Sequence, residues 1–179
     1  MQRELISERA YRTEYGAEFL ESQGRVFRTE SIDAATRVRL ERDADAPIWI
    51  GVDWARYHDY TAVVAVSGSR QAAQIVECAR FHAMSWADQI QKVAEIIRRY
   101  PGARTLCDAT GMGDPLLESL QTACPLASIE GATFTSPFKS KLIDNLAWMF
   151  ENQSLSMRRT WLAGRPMPAR LAVATVFVR

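Results

Sequence analysis

The chain has 179 residues, 47% of them hydrophobic, enough to bury one core without disulfide or metal staples. Its formal net charge of +1 excludes no class of partner, because an acidic centre and a basic rim cancel in the sum. Cys78, Cys107 and Cys124 are odd in number and show no C-x-x-C spacing, which argues against a disulfide framework or a zinc site and for core thiols in a reducing cytoplasm.

Met1-Gln2-Arg3-Glu4-Leu5 lacks the apolar stretch of a signal peptide, and no apolar run is long enough to span a membrane. A soluble protein is expected. Residues 6–22 set Ile6, Ala10, Tyr11, Tyr15, Phe19 and Leu20 at near-helical spacing between charged residues, which predicts an amphipathic helix. A turn at Ser22-Gln23-Gly24 and a short apolar segment at Val26-Phe27 follow. Residues 36–46 read as charged and irregular, and Asp45-Ala46-Pro47 leads into the core. Residues 1–46 thus form a helical connector and 47–156 the core.

Within the core, Ile48-Trp49-Ile50-Gly51-Val52 is a strand ending at Asp53, and a second strand runs from Tyr60 to Val66 just after Asp59. Residues 74–81 alternate as an antiparallel strand. Ser85 with Asp88 three residues on is a capping box; Trp86, Ile90, Val93 and Ile97 supply the buried face of the helix until Tyr100-Pro101-Gly102 stops it. Residues 103–107 form a strand delivering Asp108. The loop 109–113 then leads into a helix from Pro115 to about Thr122, with Asp114 as its expected cap. A short strand near residues 129–134 and a helix from about Phe138 to Glu151 follow. No internal repeat is visible. The order predicts an α/β fold, a mixed sheet with helices on its faces.

Asp53 and Asp108 carry the chemistry. Each ends a buried strand, where rigid backbone fixes oxygen ligands for a hard divalent cation. Alone, either is an ordinary turn former; two in the same strand-then-acid context would converge on one metal site. Gly111 and Gly113 would let the chain turn tightly beside it. His58, between the ligand candidates, would orient water or touch phosphate, or simply be a polar turn residue, the stronger of the two readings, and His82, at a strand end, has no partner in view. Lys139 and Lys141, at a helix start after Pro137, would meet a DNA phosphate with side-chain charge and the positive helix terminus, or simply be solvated.

This order of acids and strands resembles the ribonuclease H-like superfamily, and within it the C-terminal nuclease domain of phage large terminase subunits, the DNA-packaging motors of tailed bacteriophages. The residues carrying the likeness are Gly51-Val52-Asp53-Trp54-Ala55 with Asp59-Tyr60-Thr61-Ala62, Asp108-Ala109-Thr110-Gly111-Met112-Gly113-Asp114-Pro115, and Phe138-Lys139-Ser140-Lys141. Upstream, residues 11–19 and 24–27 are similar to the segment joining a terminase's ATPase and nuclease domains. The resemblance spans residues 8–155. It implies endonucleolytic cleavage of double-stranded, concatemeric DNA by two Mg²⁺ or Mn²⁺ ions. Asp53 would bridge both, Asp108 would hold one, and Asp59 would serve the other directly or through water. It further implies a small terminase subunit and a portal as partners, no membrane, and the cytoplasm of a bacterial host.

The sequence departs from the family in two respects. No G-x-x-x-x-G-K-S/T occurs, so the packaging ATPase is not expected here. The family also places an acid on a C-terminal helix, whereas no Asp or Glu follows Glu151, and Asp144 lies in the preceding helix. Residues 157–179, with Arg158, Arg159, Arg165, Arg170 and Arg179, read as an atypical tail produced by frameshift, truncation or gene decay, which would leave the nuclease impaired. Three alternatives stay open: an actin-like ATPase, disfavoured by the glycine-free turn 54–58; a cellular resolvase-like nuclease; and a non-catalytic remnant or DNA-binding module of the same fold.

Overall fold

The computed structural model describes residues 27, 29–38, 43–55, 60–111 and 113–158. The helix expected over residues 6–22, Asp59, His58 and the tail beyond Arg158 lie outside them. Among the described residues a six-stranded mixed sheet has the order β5-β4-β1-β2-β3-β6. Its strands are β1 (Ile48–Asp53), β2 (Thr61–Ser69), β3 (Ala72–Phe81), β4 (Arg104–Asp108), β5 (Ser128–Ala132) and β6 (Leu155–Ser156). Four helices flank it: α1 (Thr29–Arg37), α2 (Trp86–Arg99), α3 (Gly113–Ala123) and α4 (Ser136–Glu151).

β1, β2 and β3 form an antiparallel meander, while β4 adds in parallel to β1 and β5 to β4. β1 is buried at Ile50, Gly51 and Val52 and β2 over most of its length, because both faces of the sheet are covered. One face holds Ile50, Val52, Val63, Ala65 and Cys107 against Val93 and Ile97 of α2 and Leu120 of α3. The other packs Val64, Val66, Ile75 and Leu106 against Leu142, Leu146, Met149 and Phe150 of α4, with Ala35 of α1 at its margin. Those four α4 positions recur at helical spacing and form one stripe. A register shift between Ala65 and Val66 opposes the extra residue Val76, so Val76 and Glu77 both turn towards the α2 face.

The meander, the capped helix and the two following strand–helix units match expectation: Ser85 Oγ accepts from Asp88 N–H at the start of α2. Three points differ. Asp114 does not cap α3, which begins one residue earlier at Gly113 and takes Asp114 and Pro115 into its first turn. The segment read as irregular after residue 35 begins with the last residues of α1, which the sequence did not suggest. β6 is likewise new, pairing parallel to β3. Both are held from far along the chain: Met157 N–H donates to Ala35 O, and Ser156 Oγ donates to Val38 O at 2.8 Å.

Candidate metal and nucleic-acid site

After β1 the chain turns to β2 on one side, and after β4 it crosses to β5 on the other. The carboxyl ends of β1 and β4 therefore flank a crevice at the point where the chain diverges, the usual ligand position in sheets of this kind. Asp53 and Asp108 sit there. Val52 pairs with Cys107 in parallel register, and both lie in the core on the α2 side. One step further, alternation turns Asp53 and Asp108 to the opposite face, side by side on strands about 4.8 Å apart. Both are half-buried.

Three hydrogen bonds set the Asp108 side of the crevice. Thr110 N–H donates to Asp108 Oδ1 at 2.8 Å, Ala109 N–H to Ala132 O at 2.9 Å, and Phe134 N–H to Thr110 Oγ1 at 2.9 Å. Gly111 has a φ of 67°, a left-handed conformation that lets the loop reverse into α3. A carboxylate has about four acceptor sites, so the bond from Thr110 leaves Asp108 capacity for a cation. Closeness to α3 depends on Gly131, where a Cβ would stand 2.5 Å from Leu117 Cδ2 and 3.0 Å from Ala109 Cβ.

The Asp53 side is held by a buried network that the sequence reading missed. Ala55 N–H donates to Thr61 Oγ1 at 2.7 Å, and the Thr61 hydroxyl, fully buried, has one proton to share between Ala55 O and Gln89 Oε1. Gln89 Nε2 then donates to Ala55 O and Met84 O, both at 3.1 Å. Gln89, 1% exposed on a helix face otherwise apolar, is the sequence signal: a glutamine at a core position must have partners. The network anchors the chain directly after Asp53, at Ala55, and at the start of β2, at Thr61.

Asp53 and Asp108 are thus brought together, and Asp59 lies outside the described residues. Among the described residues no group of three or more His, Cys, Asp or Glu side chains converges. Two hard oxygen donors on rigid strand ends fit a divalent cation in kind, and fill only part of its shell. Asp144 is exposed in the middle of α4, and Glu130 is engaged by Arg104 at 3.2 Å in an exposed pair. Lys139 and Lys141 are exposed in the first turns of α4, whose approach is tied to the Asp108 loop through Phe134. Two residues apart on a helix, they diverge, so one at most faces the crevice.

His82 does have a partner: its ring packs on Tyr60. The cysteines are free, with Cys107 and Cys124 buried and Cys78 half-buried. Burial, assisted by the Asp108 charge, pushes the Cys107 thiol up to about 12, and burial outweighing Arg80 pushes Cys78 up to about 11. Both thiols are therefore protonated at neutral pH. No helix among the described residues is long and apolar enough to cross a membrane.

Comparison with known proteins agrees with this architecture. The large terminase subunit of Thermus phage G20c is 26% identical over 174 residues, covering 88% of this chain, and that of Thermus virus P23-45 is equally similar. The chain spans about a third of the length of these relatives, 34%. The crystal structure of the large terminase nuclease from thermophilic phage G20c superposes with a TM-score of 0.67 at 20% identity, covering 86% of this chain and 98% of that one. The nuclease domain of Thermus phage P74-26 superposes at 0.60 with 18% identity, covering 81% and 92%. These likenesses show that the chain shares the fold of those nuclease domains. The family model described as the terminase RNaseH-like domain matches residues 50–171, from inside β1 through both acids and α4, and the chain belongs to that family.

Proposed function

We propose that this chain is the metal-dependent endodeoxyribonuclease domain of a phage large terminase subunit, acting on double-stranded concatemeric DNA during packaging. The observation that carries the reading is the position of Asp53 and Asp108, each one residue beyond the paired Val52 and Cys107 on neighbouring parallel strands, at the crevice where the chain diverges. Related nuclease domains bind such ions: that of phage G20c has been crystallised with magnesium, zinc and cobalt, and that of bacteriophage SPP1 with manganese.

Asp53, Asp108 and Asp59 are the residues that would hold the ions, with Asp53 shared, Asp108 serving one ion and Asp59 the other directly or through water. Held there, Mg²⁺ or Mn²⁺ would supply Lewis acidity for an in-line displacement at phosphorus and ease ionisation of the attacking water. The chain's own part is positioning. The Thr61–Gln89 network holds the turn after Asp53, and the Thr110 N–H bond fixes the Asp108 rotamer. The first turns of α4 offer Lys139 or Lys141 and a positive helix end to a DNA phosphate. The small terminase subunit and the portal are the partners this reading implies, and the host cytoplasm its location.

The test is Mn²⁺-dependent nicking of supercoiled plasmid, with Asp53→Asn and Asp108→Asn beside the unaltered chain. Loss of nicking in both supports the assignment, and full cleavage by either removes that acid from the site. A non-catalytic module of the same fold is the second reading, favoured by the convergence of only two acids among the described residues. It predicts DNA binding with no metal-dependent cleavage. A salt-insensitive, sequence-specific complex would instead favour a resolvase-like protein.

A further inference from the structure

The sheet face that carries Asp53 and Asp108 continues past them to a second group of polar side chains. Asp53 pairs with Ala62 and Ala62 with Arg80, so the three stand abreast on one face at one end of the sheet. Ala62 is buried and interposes only a methyl group. Arg80 therefore lies two strand spacings from Asp53, about 10 Å, on the side away from Asp108.

The Arg80 guanidinium lies over the Tyr60 ring at 4.0 Å from its centroid. Tyr60 packs in turn on the exposed His82 ring, with centroids 4.6 Å apart and planes tilted by 35°. Among the described residues no carboxylate pairs with Arg80. A cation held by a ring, rather than by a carboxylate, keeps its charge for an incoming group. Stacking also occupies only the face of the guanidinium. Its N–H donors lie in the plane and point outward, in the fork that matches two oxygens of a phosphate.

We infer that Arg80, oriented by Tyr60 and His82, binds a phosphate neighbouring the one that lies over Asp53 and Asp108, and so fixes the register of the DNA backbone at the cut. The opposite flank of the acids carries the start of α4. The strand would then be held on both sides of the crevice, by Arg80 beyond β2 and by α4 beyond β4. The bland alternative is a surface ring contact that only stabilises the β2–β3 edge.

The inference rests on the nuclease reading above, and binding measured without metal separates the two. The intact chain, Arg80→Gln and Arg80→Lys are titrated in EDTA with a fluorescein-labelled duplex between about 50 and 200 mM salt. Circular dichroism checks folding, and calorimetry measures Mn²⁺ binding. Arg80→Gln is expected to weaken the complex about tenfold at low salt and to lower the slope of log K against log salt by about 1, one phosphate contact. Arg80→Lys should recover the slope but not the full affinity, since the charge returns without the fork. Mn²⁺ binding should be the same in all three.

Arg80→Gln with the affinity and slope of the intact chain overturns the inference, as does an intact chain that does not bind duplex. In either case, retained Mn²⁺ binding leaves the nuclease reading standing. An intact chain that binds duplex through Arg80 but takes up no Mn²⁺ overturns that reading and keeps the phosphate contact. If Arg80→Gln does not fold, Arg80→Lys decides: affinity equal to that of the intact chain overturns the bidentate contact.

Discussion

Two carboxylates side by side on neighbouring strands, each one residue beyond the paired Val52 and Cys107, repel each other, and a bound divalent cation would remove that repulsion. Asp108→Asn deletes a charge yet keeps an acceptor for Thr110 N–H. In EDTA this variant should melt at the same temperature as the unaltered chain or higher, and Mn²⁺ should no longer raise its Tm. A Mn²⁺-induced rise as large as that of the unaltered chain would detach Asp108 from the metal. Asp53→Asn should abolish Mn²⁺-dependent nicking, whereas His58→Ala should cost little. Cys107, beside Asp108, makes a separate point about pH. Its thiol is raised from 9.0 to about 12 in the folded chain, so the folded state keeps a proton that the unfolded state loses first. This contribution to stability is present in full below pH 9 and is lost as the pH rises through about 12. Urea unfolding across that range should show a shallower decline for Cys107→Ala than for the unaltered chain, and parallel declines would refute the linkage.

The elements legible in the sequence are those whose signals are local. Ser85 with Asp88 announces α2, the acid-terminated apolar runs announce β1 and β4, and Pro137 marks the start of α4. α1 and β6 carry no such signal. α1 buries only Ala35 among its nine residues, and β6 is two residues long. Each depends on the other across 118 positions of sequence, through Ser156 and Val38, which no local window contains. The same holds around the site, where the Thr61–Gln89 pair is 28 positions apart. Thr61→Val should leave Ala55 N–H and Gln89 Oε1 with a partner lost in a buried place, at about 1–3 kcal/mol. Its Tm should fall, and nicking should fall further than stability explains, because the turn after Asp53 loosens. Unchanged nicking in a folded Thr61→Val would limit the network to a structural role. Gly131→Val tests the other side: the added side chain meets Leu117 and Ala109, and overpacking of this kind costs about 1–3 kcal/mol. Differential scanning calorimetry should register that loss, and an unchanged Tm would mean that α3 yields freely.

On the scale of the whole molecule, the acids at the centre were readable because each sits at the end of its own strand. The basic flanks were readable only in part. Lys139 and Lys141 follow a proline in sequence, whereas Arg80 reaches the site only through strand pairing with Ala62 and Asp53. Binding mainly through phosphate contacts should be independent of sequence and fall steeply with salt. The number of carboxylates then decides how well such binding becomes cleavage. Two acids converge among the described residues, Asp59 is the proposed third, and residues 152–179 contain neither Asp nor Glu. An in-line displacement needs both ions held in register, and small losses of positioning are costly to rate. We therefore expect this chain to bind Mn²⁺ weakly and to nick plasmid slowly, and expect an appended helix bearing one acid at the crevice to raise both. Nicking by the unaltered chain as fast as by the extended one would show that Asp53, Asp59 and Asp108 suffice. In that case Asp59→Asn should be as damaging as Asp108→Asn, where the present assignment expects it to be milder.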